Sequence, residues 1–476
     1  MAQGVRFVTG QIKLSVCCGT VNNQCGDQQN KEELQWDIHG VRLLRAILQQ
    51  ESRPMKVLFK NIRVLAGVHD SSPDYVSGAA MADLPVMEDA WLAVEDGLIA
   101  DYGKMSEWPG ISDWRELEVI DAEGKCILPG WCDSHTHLVF AGSRAGEFTD
   151  RIRGLTYEQI AAKGGGILNS ARLLRDTPEE TLVESALQRL NTIMMQGTVA
   201  VEIKSGYGLT TESELKMLRV IRRLKELHSL TIQSTLLAAH AIPEHHKANP
   251  DAYVDEIITT LLPRVAEEQL ADFIDVFCET NYFTVEQMER ILEAGAKYGL
   301  SAKVHVNQFN AIGAVSAAVK HQALSVDHLE VLTEEDLQAL KGTRTMPVGL
   351  PGCSLFIRIP YTPARRIIDA GLPLALATDF NPGSAPSGNM NLVNSLACIH
   401  MGMLPAEAIQ ASTLNGAYAM GLSQSHGSIT PGKVASFIIT RKMQSLDEIP
   451  YYFGDNPVEE VWVKGTRVTG LETRGE

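Results

Sequence analysis

From Met55 the chain alternates apolar and polar positions in "MKVLFKNIRVL", and the same texture follows in "DAWLAVEDGLIADYG" and "LEVIDAEGK". Period-two alternation turns one face of a strand to a core and the other to water, so residues 55–125 predict short strands and turns. The texture returns near the C-terminus in "GSITPGKVASFIITRK" and "VEEVWVKGTRV". Split β segments flanking a long middle predict a small β-sandwich domain built from residues 55–125 and 425–476.

Between them, short apolar runs alternate with helix-period segments. Strands are predicted at Cys126–Cys132, Thr198–Ile203, Thr231–Ala239, Asp272–Cys278, Ser301–Val306, Leu324–Val326, Thr345–Val348 and Leu372–Ala377. Helices are predicted in segments such as "TVEQMERILEAGAKYGL" and "TPEETLVESALQRLNTIMMQG". The second has Thr177 as N-cap, Pro178 at the first helical position and Glu180 three residues after the cap. Eight strands alternating with helices over roughly 250 residues predict an α/β fold, a (β/α)₈ TIM barrel over residues 126–424.

Residues 1–54 are unlike the rest. They are polar, cluster Cys17 and Cys18 with Cys25, and hold one helix-like run, "IHGVRLLRAILQQ". The expectation is a disordered or non-native extension, with Met55 as the natural start; a genuine extension stays open.

Composition narrows the class. The chain has 476 residues, of which 45% are hydrophobic, enough for a barrel core and a smaller domain. Its formal net charge is −16 with no basic block, which makes nucleic acid and acidic membranes poor partners and leaves a small-molecule substrate. The eight cysteines form no C-x-x-C pair, so a reducing, cytoplasmic setting is expected. No apolar run is long enough to span a membrane, and the start lacks a secretory plan. No G-x-x-x-x-G-K-[ST] string is present, which argues against nucleotide binding.

The candidate chemistry sits where the strands end. In "LPGWCDSHTHLVFAGSR", His135 and His137 are spaced i, i+2, so a strand aims both imidazoles at one side. Alone, such a pair is as often incidental as metal-binding. Other polar residues also follow predicted strands: Lys204 and Tyr207, His240, His305, Asp327 and His328, then Asp379, Asn381, Gly383 and Ser384. In a (β/α)₈ barrel the C-terminal rim carries the chemistry. His135, His137, His305 and Asp379 would form a nitrogen-rich set for one divalent ion, zinc or iron. Such an ion acidifies water and polarises a carbonyl; Asp379 would take a proton, and His328 would hydrogen-bond the water or oxyanion. Blander readings stand beside these: Tyr207 capping a glycine-flanked turn, and Gly164–Gly166 as close backbone packing. His69, His245, His246 and His426 lack strand-end positions and are assigned to the surface.

From the H-x-H pair to the strand-eight aspartate, this constellation resembles the amidohydrolase superfamily. The strings "HTHLVFAGSR", "GGGI", "EIKSGYGL", "AAHAIP", "DHLE" and "ALATDFNPGS" are similar to one branch of it, from about Met55 to the C-terminus. That branch opens the cyclic amide of 4-imidazolone-5-propanoate to N-formimidoyl-L-glutamate in histidine degradation. The resemblance implies a metal-dependent homodimer with ligands His135, His137, His305 and Asp379. It also implies that Arg144 binds substrate, that Tyr207 and His240 contact the ring or product, and that Asn381, Gly383 and Ser384 hold substrate or product. A guanidinium fork suits a propanoate carboxylate. One position departs: Gln308 stands where many members carry a glutamate, and an amide cannot act as an acid. Proton traffic would then fall to Asp379 and His328, with Gln308 orienting the ring. Two rivals remain, a related deaminase or other cyclic-amide hydrolase, and a non-catalytic binding homologue. The predicted fourth strand, "DFIDVFCE", has no lysine to bridge two metals, which favours one.

Overall fold

Alternation at the two chain ends produces one mixed sheet of eight strands. The structure, a computed structural model, describes residues 56–111, 114–155, 159, 163 and 165–468. The expectations for residues 1–54 and for Gly164 lie outside these. The N-terminal strands of the sheet are β1 (Lys56–Ala66), β2 (Val86–Glu95), β3 (Leu98–Lys104), β4 (Leu117–Asp121) and β5 (Lys125–Pro129). Its long central strand β1 pairs antiparallel with β2 and parallel with both β4 and β5.

The second sheet is the barrel, with eight neighbouring strands in parallel pairs. They are β6 (Trp131–Thr136), β7 (Thr198–Lys204), β8 (Thr231–Ala239), β9 (Phe273–Cys278), β10 (Ser301–Val306), β11 (Ser325–His328), β12 (Met346–Gly349) and β13 (Ala375–Leu376). Near-continuous burial along these strands is the mark of a parallel sheet covered by helices. The last and first strands meet through Asp379 N–H to His135 O at 3.0 Å and His137 N–H to Phe380 O at 2.9 Å. Asp133 reinforces that seam by accepting from Thr378 N–H and Oγ1 at 3.0 and 2.7 Å. Closure therefore sets the strand-eight aspartate beside the H-x-H pair.

The chain then returns to the first sheet through β14 (Phe437–Lys442), β15 (Val458–Val463) and β16 (Thr466–Arg467). The sheet curls so that Ile99 N–H reaches Lys433 O at 2.8 Å and Ala435 N–H reaches Gly97 O at 2.9 Å. Inside the curl, the Phe59 ring meets Phe437 and Trp462 edge-on, at centroid distances of 5.3 and 5.0 Å. Aromatic edge-to-face packing of this kind adds to burial.

Two local expectations need correction. The run predicted as one strand, Cys126–Cys132, is split at Gly130: β5 before it belongs to the small sheet and β6 after it opens the barrel. A Cβ at Gly130 would lie 2.2 Å from Val199 Cγ1, so the crossing from sheet to sheet has room for glycine alone. The helix Glu179–Met195 forms, but Thr177 does not cap it; its Oγ1 donates back to Leu173 O at 2.7 Å.

Candidate functional site

His135 and His137 leave the end of β6, His305 lies in β10, and Asp379 follows β13. All four are almost wholly buried. His137 Nε2 is 3.4 Å from His305 Nε2 and 3.5 Å from Asp379 Oδ1, and His135 Nε2 is 3.7 Å from the same oxygen. Donors about 2.1 Å from one tetrahedral ion stand roughly 3.4 Å apart, so the spacing suits a shared cation. His135 with His137 and Asp379, and His135 with His305 and His328, each group within ligating distance.

The surroundings fix which nitrogen faces inward. Asp327 Oδ2 lies 2.6 Å from His135 Nδ1, and Asp275 Oδ2 lies 2.9 Å from His305 Nδ1. An ionised carboxylate only accepts, so each Nδ1 carries the proton and each Nε2 keeps its lone pair. His135 Nε2 is buried with no hydrogen-bond partner. Burial, with Lys204 adding for His135 and His305 and with His240 for His137, holds all three imidazoles well below their ordinary range. Three neutral rings, two of them with the inward lone pair fixed by a carboxylate, and one carboxylate fit a divalent ion. Burial pushes the Asp379 carboxyl up to about 6, against the opposing pull of His328.

Backbone strain gathers at this rim. Asn307, His328, Leu329 and Asp379 hold φ values of 54°, 90°, 61° and 55°, which side-chain-bearing residues rarely adopt. His328 is held there by Thr362 Oγ1, which donates to its carbonyl at 2.6 Å. Its Nδ1 meets Glu330 Oε1 at 3.3 Å. Burial alone would lower His328, but the carboxylates of Glu330, Asp379 and Asp327 together outweigh it and the ring is raised.

Above the donor set opens a cavity of about 500 Å³. His137, Arg144, Tyr207, His240, His305, Gln308, His328, Asp379, Asn381, Gly383 and Ser384 all face it. Every residue expected from the sequence to touch substrate is thus at one opening. The His240 ring stacks on His137 at 5.0 Å with 14° between planes. Tyr207 sits on a turn held by Glu214, which accepts N–H groups from Gly206, Gly208 and Leu209 at 3.0, 2.7 and 2.9 Å. The capping reading of Tyr207 gives way here, since that carboxylate holds the turn and the phenol ring faces the cavity.

The loop after β13 is equally organised. Asn381 Oδ1 accepts from Gly383 and Ser384 N–H at 2.7 and 2.8 Å, and Ser384 Oγ donates to Asp379 Oδ2 at 3.2 Å. Arg144 differs from a free fork: Nε and Nη2 both donate to Glu147 Oε2, at 2.8 and 2.6 Å. Its Nη1 packs over Gly383, where a Cβ would come within 2.3 Å. Gln308 donates to Cys353 Sγ at 3.4 Å.

Several contributors were missed by the sequence reading. Arg151 lines the cavity and donates to Gly383 O at 2.9 Å. Glu279 accepts from Phe309 and Asn310 N–H at 2.8 and 3.1 Å and so shapes the loop bearing Gln308. Asp275, Glu202 and Glu330 are wholly buried behind the histidines. A signal for two of these existed: Glu202, two residues before Lys204, and Asp275 are charged residues within otherwise apolar strands. Of the histidines assigned to the surface, His245 is exposed and His69 and His246 are half-buried. His426 is buried instead, its Nε2 3.0 Å from Thr231 Oγ1, because it sits where the C-terminal return packs on the barrel.

The amidohydrolase family profile matches residues 126–468. A protein of Flavobacterium johnsoniae named imidazolonepropionase is 58% identical over 411 residues, 86% of this chain and 99% of that protein. One of the same name from Geobacillus kaustophilus is 42% identical over 87% of this chain and 98% of its own length. Among solved structures, a triazine hydrolase variant (TM-score 0.67, 15% identity, 87% of this chain and 94% of that one) shares the fold. So does guanine deaminase of E. coli (TM-score 0.66, 14% identity, 87% and 99%). By fold, donor set and sequence, the chain belongs to the amidohydrolase family, in its imidazolonepropionase branch.

Proposed function

We propose that the chain hydrolyses the ring amide of 4-imidazolone-5-propanoate to N-formimidoyl-L-glutamate. The observation that carries this reading is the convergence of three inward imidazole nitrogens and Asp379 beneath a cavity edged by Arg144, in a chain 58% identical to a named imidazolonepropionase. Water adds to the ring carbonyl carbon, the bond from that carbon to the ring nitrogen breaks, and the nitrogen takes a proton. His135, His137, His305 and Asp379 would hold a divalent ion, which when bound would polarise the carbonyl and acidify the water. The nitrogen-rich set suits zinc, with iron as the alternative, at one ion per chain.

The chain's own groups do the rest. Asp379 accepts the proton of the attacking water and returns it to the departing nitrogen. His328, held by Glu330 and Thr362, hydrogen-bonds the developing oxyanion. Gln308 orients the ring through its amide and moves no proton. Arg144, clamped by Glu147, offers its remaining N–H edge to the propanoate. Tyr207 and His240 line the face of the ring, and the N–H groups of the Asn381–Ser384 loop receive the carboxylate formed. A cytoplasmic homodimer is part of the reading. The five described cysteines are unpaired thiols, and Tyr451, Tyr452 and Phe453 leave an exposed aromatic face that light scattering can test as a contact.

The direct test is to incubate the purified protein with freshly made imidazolonepropanoate. Loss of the ring chromophore with stoichiometric N-formimidoyl-L-glutamate is expected. Absence of turnover with metal bound would favour the binding-homologue rival, and turnover of an aminated heterocycle instead would favour a deaminase.

A further inference from the structure

Directly behind the donor set lies a buried cation that the reaction does not use. Lys204 ends β7 and is wholly buried. Its ammonium stands 2.6 Å from Glu202 Oε1, 2.8 Å from Asp275 Oδ2 and 3.6 Å from Asp327 Oδ2. The last two oxygens are the very atoms that meet His305 Nδ1 and His135 Nδ1. One point charge therefore spans the carboxylate partners of two imidazoles that come from different strands, β10 and β6. Two buried carboxylates this close repel unless a cation lies between them. Burying an ammonium among carboxylates is itself costly, and a whole buried ion cluster can often be replaced by apolar side chains of similar volume without loss of stability. A purely structural need does not account for its position.

We propose that Lys204 is a positioning residue of the metal centre, bridging Asp275 and Asp327 so that His305 and His135 turn their Nε2 atoms to one point. This rests on the metal-dependent reading above. Lys303 supplies an internal contrast. It is also wholly buried and reaches Glu202 Oε2 at 2.7 Å, Ala419 O at 2.6 Å and Ser134 O at 3.3 Å. None of these partners is a carboxylate that touches a histidine of the donor set. Removing either lysine deletes one buried charge beside Glu202, but only Lys204 lies against the aspartates.

The test uses the full chain, stripped with a chelator and titrated with Co²⁺. Affinity is read by competition against a chromophoric chelator, and ligand geometry by the visible Co²⁺ spectrum. Lys204→Met is expected to weaken Co²⁺ binding about 10–100-fold, as loss of outer-shell partners does, and to alter the spectrum. It should lower kcat with little change in KM. Lys204→Arg, which keeps the charge, should recover part of the affinity. Lys303→Met should bind Co²⁺ as the wild type does, with the same spectrum, even where its Tm falls. Wild-type affinity and spectrum in Lys204→Met, or equal shifts in Lys303→Met, overturn the proposal. Should Lys204→Met not accumulate as folded protein, Glu202→Gln loosens the same ammonium. A weaker Co²⁺ affinity there supports the proposal, and an unchanged one overturns it. A wild-type chain that binds no Co²⁺ overturns the metal reading along with this inference, whereas unchanged binding in the variant overturns this inference alone.

Discussion

Gly383 shows how tightly individual residues are specified at the cavity mouth. Its Cα packs so close to Arg144 Nη1 that an added methyl would overlap it, and Glu147 prevents the guanidinium from swinging aside. Gly383→Ala is therefore expected to displace the arginine and weaken a charge-assisted contact by about 1–2 kcal/mol, a rise in KM of roughly tenfold. Metal content should stay at the wild-type level; an unchanged KM would remove Arg144 from the substrate contact. Gln308 poses a second question at this scale, since it replaces an acid by an amide and its nitrogen is turned to Cys353. Gln308→Ala should cost about tenfold in kcat, as loss of a neutral orienting hydrogen bond does. Asp379→Asn should abolish nearly all turnover, because the base is lost and one donor is weakened. Equal losses in the two variants would show that the proton path runs through position 308.

At the scale of elements, the barrel was largely legible because each strand is an apolar run ended by a polar residue. Thr231–Ala239 and Ser301–Val306 occupy the predicted positions. The first strand was misread because apolar texture continues through Gly130 while the chain passes from one sheet to the other, and pattern alone carries no record of that neighbour. The site divides the same way. Most residues after strand ends could be read from spacing. Glu147, Arg151 and Glu214 instead sit on helices, and Glu279, although it follows β9, acts through its contact with the distant Phe309–Asn310 loop. Glu214 shows what that costs the sequence reader. It sits in the first turn of the helix Thr211–Leu227, where a carboxylate also favours the helix dipole, yet its acceptors serve the preceding turn. Glu214→Ala would leave three buried N–H groups unsatisfied and open the Gly206–Gly208 turn that backs Tyr207 and His240. A fall of about 2–4 kcal/mol in urea-unfolding free energy is expected, with kcat/KM reduced more than metal content. Unaltered stability would mean that water replaces the carboxylate.

At the scale of the whole molecule, the two ends of the chain complete one sheet and the middle closes one barrel, and every site residue lies within the described residues. We therefore expect a chain beginning at Met55 to fold and to retain its activity; loss of soluble, active protein on removing residues 1–54 would give that segment a structural role. The barrel seam is where fold and function become the same interaction. β13 has only two residues, and beyond it the first and last strands are joined by a few hydrogen bonds around His135, His137 and Asp379. The donor set straddles that seam, with His135 and His137 on one side, Asp379 on the other and His305 across the barrel. An ion held by the folded chain and not by the unfolded one stabilises it by about 2.7 kcal/mol at a free concentration one hundred times Kd. Chelation should therefore lower Tm, and added Zn²⁺ should restore it in proportion to the logarithm of its concentration. Hydrogen exchange should locate the loss at the backbone amides of residues 137 and 379, the ones that zip the seam, more than in β1 and β2. If the stripped protein keeps its Tm and its protection at those amides, the seam is self-sufficient and the donor set serves the chemistry alone.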